Sequence, residues 1–464
     1  MKTLNNIIET GLILLIVFTP FALGSVHIRA YTLMELTVLL LVVIWFIKMI
    51  NQGEICIPKT PLNIPILLFI CLIFFQLIPL PEYILKVISP NTHRIYSDTI
   101  NSLSTASTTG LANSLSLYPY ATKTELLKFM SYIGVFFLII GNITTGRQIN
   151  RLIMAIVITG FLVSIFALIQ SFTWNGKIYW VIEFTRGASP FGPFINKNNF
   201  AGYINLIIPV ALSMFMMKRD NNKKALFGFM AVVMATAIFL SMSRGGVFAF
   251  SGGLIFMGFL LLFRRGGYRK GGLILGGFLS CLLLYLIYVG IGPAIERLAT
   301  LTEKETYLRE QRWTVWLATT GIIRDFPFFG TGLDTFEMIF PIYKPLKIVK
   351  LRYIDAHNDY IQFVSETGIA GVLIGITFFI ILFKKAFSSL NNPKLMTQDY
   401  LLIGALSSVS AFMLSITLTF NTHIPANALL FAIVLAIVVK LSGENKRRRG
   451  IKDDRAGYKN QAGY

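Results

Sequence analysis

The run Leu273-Ile-Leu-Gly-Gly-Phe-Leu-Ser-Cys-Leu-Leu-Leu-Tyr-Leu-Ile-Tyr-Val-Gly290 decides the fold class. It is apolar nearly from end to end, with no alternation of polar and apolar positions. A membrane β-strand needs about ten residues of alternating character. A helix needs about twenty continuous apolar residues to cross ~30 Å of hydrocarbon. Runs of the second kind recur along the 464 residues, of which 55% are hydrophobic and only 14% charged. The mean hydropathy is +0.67, and a soluble domain carries about 25% charged residues. The sequence therefore predicts an all-α, polytopic membrane protein, a single membrane domain over residues 1–464 with about twelve transmembrane helices. They are expected near 7–25, 32–50, 62–82, 124–142, 152–172, 200–217, 225–242, 245–263, 273–290, 367–383, 400–420 and 426–441. The pair flanking Ser243-Arg-Gly-Gly246 can also be read as one broken helix.

The net charge of +20 comes from 42 basic and 22 acidic residues. Short loops carrying Lys48 and Lys59, Arg147 and Arg151, Lys218 to Lys224, Arg264 to Lys270, and Lys384-Lys385 fall on one side. The positive-inside rule makes that side cytoplasmic and puts both termini there. The basic tail, 442–464, needs only anionic headgroups as partner, and no nucleic acid is called for. The loops at 26–31, 83–123, 173–199, 243–244, 291–366 and 421–425 then face outward. The N-terminal apolar stretch lacks a small-residue cleavage pattern and reads as a retained first helix. Cys56, Cys71 and Cys281 have no metal or disulfide spacing. All four histidines, His27, His93, His357 and His423, fall on the outer face.

The stretch Tyr353-Ile-Asp-Ala-His-Asn-Asp-Tyr-Ile-Gln-Phe-Val-Ser-Glu-Thr-Gly-Ile-Ala-Gly371 sets ionisable groups against the start of an apolar run. Such groups are expensive at a bilayer edge unless they face protein or water, so they mark a candidate site. Asp355 is the expected N-cap there, and Glu366 is free to pair with an arginine. The 291–366 loop is expected to be partly helical over 306–325, stopping before Pro327. Arg309 and Arg312 share a face of it at i,i+3, and Trp316 stands one turn beyond Arg312. Phe328-Phe-Gly-Thr-Gly-Leu-Asp334 then makes a glycine turn. Arg244 sits where two glycines allow a close approach of backbone, a setting in which a guanidinium grips phosphate bidentately. It can equally snorkel to headgroups. Arg186, Asn196, Lys197 and Asn199 lie in a turn-rich loop that reads either as helix capping and interfacial anchoring or as a pocket wall for sugar or phosphate. The Ser/Thr-rich loop 83–123 carries no concentrated chemistry and reads as a mobile surface segment or a lid.

The order of these motifs resembles the O-antigen ligase family, over roughly residues 160–440. The pieces are Arg186-Gly with Phe191-Gly, Asn196-Lys-Asn-Asn-Phe-Ala-Gly-Tyr203, Ser243-Arg-Gly-Gly246, Arg312-Trp, Asp325-Phe-Pro-Phe-Phe-Gly-Thr-Gly-Leu-Asp-Thr-Phe336, His357-Asn-Asp-Tyr360 and Glu366-Thr-Gly-Ile-Ala-Gly371. The resemblance implies a fold similar to the C-type membrane glycosyltransferases. It implies glycan transfer at the periplasmic face of a bacterial inner membrane, with no metal and no other cofactor. The donor would be a glycan on undecaprenyl diphosphate, and the acceptor a hydroxyl of lipid A core, of another glycan or of a protein. The His357-Asn-Asp-Tyr360 form is closer to capsule and exopolysaccharide members. On this reading His357, Arg312 and Arg244 are the catalytic candidates. Arg186, Asn196, Lys197, Asn199, Arg309, Asn358 and Glu366 are substrate-binding candidates. Asn421 and His423 join them from outside the motifs. A polysaccharide polymerase or a protein O-oligosaccharyltransferase fits the same residues. A lipid-linked glycan transporter is the non-enzyme alternative, although no internal repeat of the transporter kind is visible.

Overall fold

The computed structural model describes residues 2–53, 55, 57–102, 113–184, 188–262, 272–273, 276–277, 280, 311–348, 352–390 and 397–461. Among these the elements are helices: α1 (Lys2–Phe21), α2 (Ile28–Asn51), α3 (Asn63–Leu77), α4 (Glu82–Ile88), α5 (Pro90–Ser102), α6 (Pro119–Asn142), α7 (Gly146–Phe172), α8 (Lys197–Asn205), α9 (Ile208–Met217), α10 (Asn221–Leu240) and α11 (Arg244–Leu262). They continue with α12 (311–325), α13 (Phe336–Tyr343), α14 (Asp359–Ser389), α15 (Thr397–Ser415) and α16 (Pro425–Gln461). No strand forms among the described residues; pairing is confined to isolated bridges such as Phe191 with Phe194.

By length and composition, nine stretches of the described residues suffice to cross a membrane: α1 from Thr3, α2, α6, α7, α8 with α9, α10, α11, α14 and the Pro425–Gly443 part of α16. The chain is an all-helical, polytopic membrane protein. α3 is apolar but shorter. Of the expected helix at 273–290 only residues 273, 276, 277 and 280 are described, all of them helical. Around Ser243 the chain makes two helices rather than one broken one, because a turn at 241–243 separates α10 from α11.

The chain divides into two compact units. The first comprises Met1–Thr60, Ser131–Tyr288 and Leu382–Tyr464. Its centre is α15, whose Leu402, Leu406, Val409 and Phe412 are all fully buried. Small residues let α11 approach it: a Cβ on Gly253 would stand 2.7 Å from the Cβ of Ala411. Membrane helices associate through such close packing, since lipid offers apolar side chains as good an environment as protein does. At one end of this unit Arg151 of α7 grips the buried Glu9 of α1 with both Nε (2.5 Å) and a terminal nitrogen (2.7 Å).

The second unit comprises Pro61–Met130 and Val289–Ile381. Along α12 and the residue that follows it, Val315, Thr319, Ile322 and Phe326 recur at one-face helical spacing and are buried, while Trp313, Leu317 and Thr320 point out. That stripe packs on Phe336, Ile339 and Phe340 of α13 and on Ala356. The chain leaves α12 at Asp325, two residues before Pro327, as the sequence predicts. Asp325 is then held by the Tyr343 hydroxyl (2.6 Å) and by the Asn91 amide, which donates to its carbonyl (2.9 Å).

The central device of this unit is a break in α14 at Gly368, whose φ of +62° and ψ of −166° suit only glycine. A break forfeits the bonds from Ile369 to Ser365 and from Ala370 to Glu366. Buried backbone groups must find other partners, and the glycine turn supplies all four. Ile369 N donates to Pro327 O (2.8 Å) and Ala370 N to Phe328 O (3.1 Å). Thr331 N donates to Ser365 O (3.1 Å) and Gly332 N to Glu366 O (3.0 Å). The approach is so close that a Cβ on Gly330 would lie 2.2 Å from the Glu366 carbonyl carbon.

The described part of loop 83–123 differs from the expected surface segment or lid. It contains α4 and α5, and its Ser114, Leu115 and Ser116 are buried. Leu117 N donates to Thr331 O (2.9 Å), and the Thr122 hydroxyl to Leu333 O (2.8 Å), so this segment packs on the glycine turn. Small hydroxyl residues serve here because they bond backbone at close range.

Candidate active site

In the second unit the sequence 356–361 turns sharply before α14 begins. His357 adopts a left-handed conformation with φ of +55°, which is uncommon outside glycine and marks a constrained position. Asn358, rather than the expected Asp355, is the N-cap. Its Oδ1 accepts from the N–H groups of Tyr360 (3.0 Å) and Ile361 (3.2 Å). The helix thus starts later than the sequence suggests, because the left-handed residue 357 cannot belong to it. Ala356 is fully buried, and both of its backbone groups are held by side chains. The Trp316 indole donates to its carbonyl (3.0 Å), and its N–H donates to Gln362 Oε1 (2.9 Å).

Arg312 lies one helical turn before Trp316 on α12. Burial pulls its guanidinium below its ordinary pKa, although an arginine remains charged at any working pH. His357 is pushed down to about 4, first by burial and then by the Arg312 charge. The imidazole is therefore neutral at pH 7, beside a poorly solvated cation.

Glu366 is 1% exposed. Its Oε2 accepts from Asp334 N (2.9 Å), and its Oε1 from Phe336 N (3.3 Å) and Gln362 Nε2 (3.1 Å). The carboxylate thus ties the glycine turn to α14. Gln76 of α3, 290 residues earlier, donates to the Glu366 carbonyl (2.8 Å) and to Phe329 O (2.7 Å). Nothing in the local sequence announces Gln76, Trp316 or Gln362 as parts of this network, because each acts on distant backbone. Arg309 lies outside the described residues.

The first unit holds the remaining candidates. Asn196 caps α8, its Oδ1 accepting from Asn198 N (2.8 Å), and Lys197 N donates to Ser189 O (2.7 Å). Arg244 opens α11 and is exposed. The preceding Ser243 donates to Asn198 Oδ1 (2.7 Å) and accepts from Gly246 N (3.1 Å). Of the two glycines after Arg244, Gly246 serves packing: a Cβ there would meet that of Ala201 at 2.3 Å. Asn421 is fully buried and donates to Ser415 Oγ (2.9 Å) and Thr419 Oγ1 (2.7 Å). Asn427, missed by sequence reading, donates to Asn199 O (3.0 Å) and Asn421 Oδ1 (3.2 Å). The side-chain oxygens of Asn199, Asn205 and Asn427 are buried without a donor among the described residues. His423 is half-buried, and Arg186 lies outside the described residues.

The structure thus brings Arg312, His357, Asn358 and Glu366 together in one unit, and Asn196, Lys197, Asn199, Arg244 and Asn421 belong to the other. Residues 229–376 match a family model described as O-antigen ligase. The match supports an O-antigen ligase family assignment. It takes in Arg244, Arg312, His357, Asn358 and Glu366 and runs through parts of both units. It leaves out Asn196, Lys197, Asn199, Asn421 and His423. An O-antigen ligase assignment implies a membrane enzyme of ligase or polymerase type, working on lipid-linked glycan donors and glycan acceptors. No curated protein matches the chain.

Proposed function

We propose that this protein transfers a glycan from undecaprenyl diphosphate to an acceptor hydroxyl, at the periplasmic face of the inner membrane. The observation that carries the reading is the pairing of a neutral imidazole on a constrained turn with a desolvated guanidinium on α12, inside the segment that matches the O-antigen ligases.

In this reaction the acceptor oxygen attacks the anomeric carbon. The new glycosidic C–O bond forms as the bond from that carbon to the diphosphate breaks, and the diphosphate departs with the electron pair. A single displacement inverts the anomeric centre. The acceptor proton passes to the His357 imidazole, a role worth about 10²–10⁴-fold in rate. Arg312 faces the charge that develops on the leaving oxygens. A preorganised donor there is worth about 3 kcal/mol, more where water is excluded.

The depressed basicity of His357 fits this sequence of events. Burial first, and the Arg312 charge second, hold the imidazole neutral in the free enzyme. A bound diphosphate offsets that charge, so the imidazole becomes a stronger base when the donor is in place. Proton transfer is thereby coupled to donor occupancy.

The test uses purified protein, a polyprenyl-diphosphate-linked glycan and candidate acceptors, with no imposed gradient. Bond exchange that is lost in His357→Ala and in Arg312→Ala supports the proposal. Exchange at wild-type rate in both variants removes it, and glycan movement without exchange favours a carrier.

A further inference from the structure

We infer that Trp316 and Gln362 are positioning residues that hold the His357 turn against the helix carrying Arg312. The φ angle of a residue is set by the peptide plane that precedes it. For His357 that plane contains the Ala356 carbonyl, the atom that accepts the Trp316 indole N–H at 3.0 Å. The plane before it contains the Ala356 N–H, which donates to Gln362 Oε1 at 2.9 Å. Two peptide planes in series are thus fixed by side chains from two different helices. On the far side of His357, Asn358 fixes the following residues by capping α14.

The anchors are themselves anchored. Gln362 is 1% exposed, and its Nε2 donates to Glu366 Oε1 at 3.1 Å. Glu366 is held in turn by the N–H groups of Asp334 and Phe336. Rotation of Gln362 away from Ala356 would break both ends of this chain. Trp316 stands four residues after Arg312 on α12, so one helix supplies the guanidinium and also pins the backbone of the imidazole. That makes their separation a property of a rigid helix rather than of a loop. A left-handed histidine persists only where surroundings overdetermine it, and these contacts do so.

The inference rests on His357 and Arg312 being the reactive pair, but its test does not depend on glycan transfer. Diethyl pyrocarbonate acylates neutral imidazole, and peptide mapping by mass spectrometry reads His357 apart from the other three histidines. In the wild-type protein the rate at His357, corrected for reagent decay, is expected to stay nearly flat between pH 8 and pH 5, because the group titrates near 4. Trp316→Phe keeps the ring and removes the donor. Once released toward an ordinary value near 6.5, the imidazole should lose about 30-fold in rate between pH 8 and pH 5. Gln362→Met is expected to act in the same direction, and serves if Trp316→Phe folds poorly. Leu317→Ala, an exposed neighbour on α12, should leave the profile flat. The same two variants should lower kcat at least 10-fold with KM little changed.

Flat wild-type-like profiles in folded Trp316→Phe and Gln362→Met overturn the inference. If His357→Ala keeps full transfer activity while these profiles shift, the positioning stands and the proposed function falls.

Discussion

In the second unit Glu366 is buried, yet both carboxylate oxygens have donors, from the backbone of Asp334 and Phe336 and from Gln362. In the first unit the side-chain oxygens of Asn199, Asn205 and Asn427 are just as buried, and the described residues offer them none. The contrast separates two uses of polarity inside a membrane protein. A carboxylate saturated by fixed donors locks a backbone turn in place, which is what proton transfer within a few tenths of an ångström requires. Neutral amides with acceptors to spare impose no such geometry. The contrast lies between these groups rather than between whole units: Gln76 and Asn113 of the second unit also keep a buried oxygen without a donor among the described residues, and Glu9 of the first is saturated by Arg151 and Gln148.

The largest effect expected is on rate. His357→Ala should lower transfer by about 10²–10⁴-fold, while Asn427→Leu should leave the rate per folded molecule within a few-fold. Turnover normalised to folded protein checks this, and an Asn427 variant as inactive as the His357 variant would erase the distinction between these groups. Next comes stability in the turn itself. Glu366→Gln places an amide N–H where a donor already points, and should destabilise the fold by about 1.5–3 kcal/mol, the range for hydrogen bonds to charged groups. Thermal unfolding in detergent reads it directly. Asn427→Leu removes one orphaned acceptor along with two donated bonds, so its loss should stay near 1 kcal/mol, in line with hydrogen bonds between membrane helices.

Acid sensitivity sharpens the comparison further. The His357 pKa falls from 6.5 to about 4 on folding. Between those values the unfolded chain binds the proton and the folded chain does not. This contribution, at most about 3 kcal/mol, is therefore fully present above pH 6.5 and is lost as pH falls toward 4. His357→Gln should flatten that part of the stability profile, whereas Asn421→Leu, in the first unit, should not. The smallest effect expected is kinetic. If a bound diphosphate offsets the Arg312 charge, the acid limb of kcat should lie at higher pH than that of kcat/KM. Coincident limbs would mean the donor leaves the imidazole untouched.

Much of the second unit could be read from sequence because its signals are local. Pro327 ends α12, the 315/319/322/326 stripe is periodic, and Phe328-Phe-Gly-Thr-Gly-Leu-Asp334 announces a tight turn. Arg312 and His357 stood out as charged or titratable groups beside apolar runs. Three features could not be foreseen. Glu366 invites a search for arginine, but its described partners include backbone N–H groups 30 and 32 residues earlier, which carry no sequence signature. Asp355 is as good a cap by type as Asn358, and only the left-handed His357 decides between them. The Ser/Thr-rich segment before α6 looks like a surface loop, because small hydroxyl residues that bond backbone at close range resemble those that bond water. In the first unit Asn427 went unnoticed because an amide inside an apolar helix has no periodicity of its own.

The break at Gly368 has a consequence for protein engineering. The four backbone groups that the helix frees there are taken up, one for one, by residues 327–332, and Gln76 closes the joint from α3. Loop and helix are therefore not separable parts. A chimera that imports a relative's segment 291–358 onto this chain's α14 would leave four backbone groups stranded unless the new turn mates with the old break. An exchange of this region between relatives should move the loop, the first half of α14 and their α3 contact as a single cassette.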